Sequence, residues 1–127
     1  MRILMVDDEV RIRVGIARVL TRRGFLMDQA ATVHETKERL ETRQYDAVLL
    51  DWQLPDGSGL DLCGMIREVQ PAAHIIMLTG RDDPVDRLRA FDAGADDFVC
   101  KQDIDVEEIG ARLKAVARRR GVSLVTE

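Results

Sequence analysis

Apolar and polar residues along the chain alternate between two periods. Five short runs, Ile3–Val6, Phe25–Ala30, Ala47–Leu50, His74–Leu78 and Asp97–Cys100, are wholly or largely apolar. Runs of that length predict strands, and near-continuous ones predict strands covered on both faces. Between them apolar residues recur at helical spacing. Val10, Val14, Ile16, Ala17, Val19 and Leu20 predict a first helix that ends at Gly24. Val33, Thr36 and Leu40 give a thin stripe for a second helix over about 33–43. Ser58 reads as the N-cap of a third, with Leu62, Met65, Ile66 and Val69 as its face and Pro71 as its stop. Pro84 and Gly94 bracket a fourth, whose apolar positions are Val85, Leu88 and Phe91. Val106, Ile109, Leu113 and Val116 mark a fifth, over about 106–119.

Strict alternation of strand and helix predicts an α/β fold with a parallel sheet between two helical layers. The first, third and fourth runs are nearly all apolar and suit central strands. The second is more polar and the fifth opens on Asp96 and Asp97, so both suit sheet edges.

Composition narrows the functional classes. The 127 residues suffice for one domain, 46% are hydrophobic and 33% charged, and the net charge is −4. That balance argues against a nucleic-acid surface on this domain. Cys63 and Cys100 lack metal-ligand spacing and read as reduced packing thiols of a cytosolic protein. The start, MRILMVDDE, turns acidic too early for a secretory signal, and no apolar run approaches the roughly 18 residues of a membrane span. His34 and His74 read as surface or structural residues, and Arg118–Arg120 as a solvated helix end.

In parallel sheets ligands bind beyond the C-terminal strand ends. Asp7, Asp8 and Glu9 follow the first strand, Asp51 the third, Thr79-Gly80 the fourth and Lys101 the fifth. Convergent carboxylates repel unless a cation sits among them. A hard divalent cation prefers oxygen ligands, and Mg²⁺ takes few carboxylates. Asp8 and Asp51 suit such an ion, with Asp7 beside it. Lys101 and the Thr79 hydroxyl can hold further anionic oxygens, and Gly80 leaves room. The set fits a phosphoryl group carried on Asp51.

The segments VDDE (6–9), LLDWQLPDGSG (49–59), MLTG (77–80) and AGADDFVCK (93–101) stand in that order, with the elements between them running over essentially the full length. Together they resemble the response-regulator receiver domain of two-component signalling. The resemblance implies a flavodoxin-like, doubly wound five-stranded parallel sheet of order 2-1-3-4-5 with five helices. It makes Asp51 the phosphoacceptor and gives Mg²⁺ to Asp7, Asp8, Asp51 and the main-chain carbonyl of Gln53. Thr79 and Lys101 would contact the phosphoryl group, and Thr79 and Phe98 would form the switch. A sensor histidine kinase would be the donor. The chain would be a switch that assists its own phosphorylation and dephosphorylation, not an enzyme acting on other molecules.

The later segments look most like receivers of winged-helix transcription factors. In that group the fourth helix, fifth strand and fifth helix form a homodimer face on activation. Its counterparts here are Arg87, Asp96, Asp97, Glu108, Arg112 and Arg119, with Arg87–Glu108 and Asp97–Arg112 as expected pairs between chains. Residues 1–119 would be the receiver and 120–127 the start of a linker to a DNA-binding output domain.

Two positions depart from the pattern. Lys101-Gln102 stands where Lys-Pro with a cis bond is usual, and KQDIDVEE is about one residue long. Gly80 stands where alanine is common. Gln102 is the support for an alternative, a phosphorylation-independent interaction module. An aspartyl phosphatase is a third reading, but the position two after Asp51, where such enzymes carry an acid, is Gln53. Trp52 either covers the site rim or helps select the partner.

Overall fold

The computed structural model describes residues 1–80 and 83–124. Every expected run forms a strand: β1 (Arg2–Val6), β2 (Leu26–Ala30), β3 (Ala47–Asp51), β4 (His74–Thr79) and β5 (Asp97–Cys100). They pair in parallel in the order β2-β1-β3-β4-β5. The chain runs out from β1 to β2, then crosses back to β3 on the other side of β1. The two edge strands are the more polar ones, as their sequences predict.

The helices are α1 (Val10–Arg22), α2 (Val33–Thr42), α3 (Gly59–Val69), α4 (Pro84–Ala93) and α5 (Val106–Arg120). Alternate strand residues feed two separate cores. Leu4, Val6, Val48, Leu50, Ile75 and Met77 face α2, α3 and α4, through Leu40, Leu62, Ile66 and Ala90. Ile3, Met5, Leu49, Ile76 and Leu78 face α1 and α5, through Ile16, Leu20, Ile109 and Leu113. A one-residue slip in any central strand would exchange the two sets, so both cores specify one register.

Several helix starts are capped by side chains, Ser58 as its position predicts. Ser58 Oγ accepts from Leu60 N, Asp83 from Asp86 N, and Asp105 from Glu107 N and Glu108 N. Gly94 ends α4 at φ +116°, a conformation that favours glycine.

The structure corrects several expectations. Val85, Leu88 and Phe91 are exposed, whereas Asp86 and Ala90 are buried. The docked face of α4 is therefore rotated from its apolar stripe, and small Ala90 allows close approach to α3. α2 stops at Thr42 because Arg43 is extended, at φ −144° and ψ 150°. α5 runs one residue beyond the expected end of that helix, to Arg120. After it Val122 and Leu124 pack back on the α1/α5 core; residues 125–127 of the expected linker lie outside the described residues. Two elements carry no sequence signal: a ladder of Gln53–Leu54 with Gly57–Ser58, and a 3₁₀ turn at Lys101–Asp103. Among the described residues no helix is long and apolar enough to cross a membrane.

Candidate functional site

The C-terminal ends of β1, β3, β4 and β5 converge on an open cleft of about 500 Å³. Asp8, Glu9, Asp51, Trp52, Gln53, Thr79, Gly80 and Lys101 line it. β3 ends on Asp51, whose strand is buried throughout, so a carboxylate only 6% exposed is presented at the cleft floor. Asp7 follows β1 and is fully buried. Its backbone N–H donates to Ala30 O at 3.1 Å, while its Oδ1 accepts from Glu9 N at 2.9 Å. Arg13 Nη1 donates to Asp7 O at 3.0 Å. Asp8 is exposed beside them. One oxygen from each of Asp7, Asp8 and Asp51 lies within 4.8 Å of the others.

Among the described residues one ammonium serves this group. Lys101 Nζ lies 2.8 Å from Asp7 Oδ2, 3.2 Å from Asp51 Oδ1 and 3.0 Å from Glu9 Oε1. Burial works against its charge, but the close contacts with Asp7 and Glu9 and the nearby Asp51 outweigh this and raise its pKa. Asp51 is pushed up to about 6. Its burial is the largest cause, the Asp7 charge adds to it, and Lys101 opposes both. Negative charge is therefore in excess here.

The cluster fits a divalent cation on its own geometry. Asp7 Oδ2 is buried and, despite its closeness to Lys101, has no donor aligned for a hydrogen bond. The donor set is all oxygen, the preference of a hard ion. A buried anionic oxygen held by one shared ammonium, beside two more carboxylates, is what such an ion would satisfy further.

Glycines shape the walls. A Cβ on Gly59 would meet Asp51 O at 1.9 Å, so the loop after β3 turns back against the strand carrying Asp51 only because residue 59 has no side chain. Gly59 N donates to Trp52 O at 2.6 Å and closes that loop. A Cβ on Gly80 would meet nothing within 4 Å, so alanine would fit there equally well.

Thr79 is buried at the end of β4 and lines the cleft. Phe98 is half-buried against the α2/α3/α4 core, and the Arg87 guanidinium lies 5.5 Å from its ring centre. Trp52 is buried in the same core while lining the cleft, with Arg89 of α4 5.6 Å from its ring. The Lys101–Gln102 bond is trans, as are the other described peptide bonds. A 3₁₀ turn starts at Lys101, which still reaches the acids.

The expected Asp97–Arg112 pair between chains is instead made within one. Arg112 Nη1 donates to Asp97 Oδ2 at 2.6 Å and its Nη2 to Glu108 Oε1 at 2.8 Å. β5 and α5 are joined by only five residues, which brings Asp97 under the first turns of the helix. Asp96 is also engaged, accepting from Arg67 at 2.7 Å and Ile75 N at 2.9 Å. Arg119 is exposed near the end of α5. Glu9, which the sequence places directly after Asp7-Asp8 without a role, joins the site through Lys101.

A family model described as a response regulator receiver domain matches residues 3–114. The transcriptional regulatory protein TcrA of Mycobacterium tuberculosis is 36% identical over 118 residues, covering 93% of this chain and 46% of that protein. The phosphate regulon transcriptional regulatory protein PhoB of Klebsiella pneumoniae is 38% identical over 128 residues, 99% of this chain and 56% of its own. The chain thus spans about half the length of the curated relatives it matches. A two-component response regulator from Clostridium difficile superposes with a TM-score of 0.90 at 28% identity, over 94% of this chain and 98% of that one. A response regulator from Burkholderia pseudomallei, solved with a phosphorylated aspartic acid, a calcium ion and citrate, gives 0.80 at 27% identity, over 94% and 74%.

Proposed function

The chain belongs to the response regulator receiver family, and from that premise we propose that it accepts a phosphoryl group on Asp51 from the phosphohistidine of a sensor kinase. The observation that carries this is the buried Asp51 carboxylate at the end of β3, 3.2 Å from Lys101 and beside Asp7. An Asp51 oxygen attacks phosphorus, the phosphorus–nitrogen bond of the donor breaks, and the freed imidazole takes up a proton. Lys101, now held by three carboxylates, pairs with a phosphoryl oxygen. The Thr79 hydroxyl donates to another. Gln53, rather than an acid, stands two residues after Asp51, so the chain lacks the second acid of an aspartyl phosphatase and acts as a switch.

Asp7, Asp8, Asp51 and the main-chain carbonyl of Gln53 would hold Mg²⁺. When bound, that ion neutralises charge at the transferring group. The Burkholderia relative, solved with both a phosphorylated aspartic acid and a calcium ion, supports this assignment.

Thr79 and Phe98 then relay the state of Asp51 to the α4–β5–α5 face, which serves as a homodimer face. Its exposed Val85 and Leu88 support that use more than Asp97 and Arg112, already satisfied within the chain. The dimer would drive a DNA-binding domain that follows this one, as the transcriptional relatives suggest, and the protein would work in the cytoplasm. The reach of Lys101 to Asp51 through a trans bond supports this reading over a phosphorylation-independent module.

Intact mass after incubation with Mg²⁺ and acetyl phosphate tests the proposal. Wild type gains one phosphoryl group and Asp51→Asn gains none. Equal gain in both would overturn the assignment of Asp51, and no gain in either would favour the interaction module.

A further inference from the structure

The ladder after β3 holds Gln53, a cleft-lining residue, yet each of its strands is only two residues long. So short a pairing is not stable by itself. Its tip carries Asp56, and that carboxylate reaches across to α2. Asp56 Oδ1 accepts from Val33 N at 2.7 Å and Oδ2 from His34 N at 3.0 Å. One anionic group thus covers the first two N–H donors of a helix, the favourable end for negative charge. These two bonds hold the Asp56 pKa below the ordinary carboxylate value.

α2 does not depend on this cap alone. Thr32 Oγ1 accepts from Glu35 N at 3.0 Å, and Glu35 Oε1 accepts from Ala31 N at 2.6 Å, a reciprocal capping box. The helix end has its own fastening, so the Asp56 bonds also fasten the ladder. Val33 lies against the same tip, 3.1 Å from where a Gly57 Cβ would stand. Pro55 stiffens the turn between.

We propose that Asp56 is a positioning residue for the divalent-cation site: by clamping the ladder tip to the α2 N-terminus it fixes Gln53 at the cleft rim. The inference rests on the cation reading above and goes beyond it, because Asp56 does not line the cleft.

Titration with MgCl₂, followed by the fluorescence of Trp52, the single tryptophan of the chain, tests it at fixed, moderate ionic strength. Asp56→Ala frees the tip and shifts the Mg²⁺ midpoint upward about three- to tenfold. Asp56→Asn keeps one acceptor without the charge and shifts it by less. Thr32→Ala weakens the same helix end from its own side and leaves the midpoint within about twofold of wild type. An unshifted Asp56→Ala overturns the proposal. So does Asn shifting as far as Ala, which would make the effect one of charge alone, or Thr32→Ala shifting as far, which would make it one of helix stability. A wild type that shows no Mg²⁺ response removes the cation site itself, and this proposal with it. Urea unfolding of each variant confirms that the folded protein is being titrated.

Discussion

Two regions of this molecule use similar residues to opposite ends. At the β5–α5 edge, Asp97, Glu108 and Arg112 form a closed set, each carboxylate meeting the guanidinium within 2.8 Å. At the cleft, Asp7, Glu9 and Asp51 share one ammonium, Asp8 stands close by, and Asp7 Oδ2 is left without an aligned donor. The first region is settled and half open to water. The second is unbalanced and mostly buried, so its imbalance is felt in low dielectric. Chemistry is expected where charge has been left uncompensated.

The contrast can be broken most forcefully at Lys101. Lys101→Ala strips the cluster of the one cation that meets it among the described residues and should destabilise the metal-free protein by about 3 kcal/mol in urea unfolding. Added Mg²⁺ should recover part of that loss. The same variant should also separate phosphorylation from dimerisation, the first persisting and the second failing, as mass and light scattering would show. Asp51→Asn acts in the other direction. Removing a repelled charge should stabilise the metal-free fold at pH 7 by about 1 kcal/mol; a loss of stability would show that Lys101 already balances the cluster.

The pH dependence sharpens the same point. The Asp51 pKa is raised to about 6 in the fold from an ordinary 3.8, so the folded state binds its proton more tightly than the unfolded state. Its contribution is fully present below pH 4, declines as pH rises, and is gone above about pH 6. Metal-free wild type should lose stability across that window and Asp51→Asn should not. The smallest effect is expected at the settled edge. Arg112→Ala breaks two half-exposed pairs and should cost under about 1 kcal/mol, with phosphorylation by acetyl phosphate unchanged.

The same division governs how much could be read from the residues. The strands were legible because apolar runs admit few alternatives, and the acids because they directly follow those runs. Asp51, Asp7, Asp8, Thr79 and Lys101 do meet at one sheet end. The face of α4 was not legible, since a ten-residue helix can dock on its alanines and leave valine and leucine outside. Nor was the partner of Arg112, because an ion pair within one chain and one between two chains look alike in sequence. The Asp56 cap joins positions 23 apart through a turn. No local period encodes such a contact.

The closeness of Gly59 to the backbone of Asp51 has a consequence for mutational libraries. The clash that forbids a side chain is with the carbonyl oxygen of residue 51, an atom that every amino acid carries. Position 59 is therefore tied to the path of the chain and is indifferent to what residue 51 does. A library selected for folding alone should shed Asp51 freely and keep Gly59, whereas one selected for signalling should keep both. The ratio of survivors at these two codons would separate selection on shape from selection on chemistry.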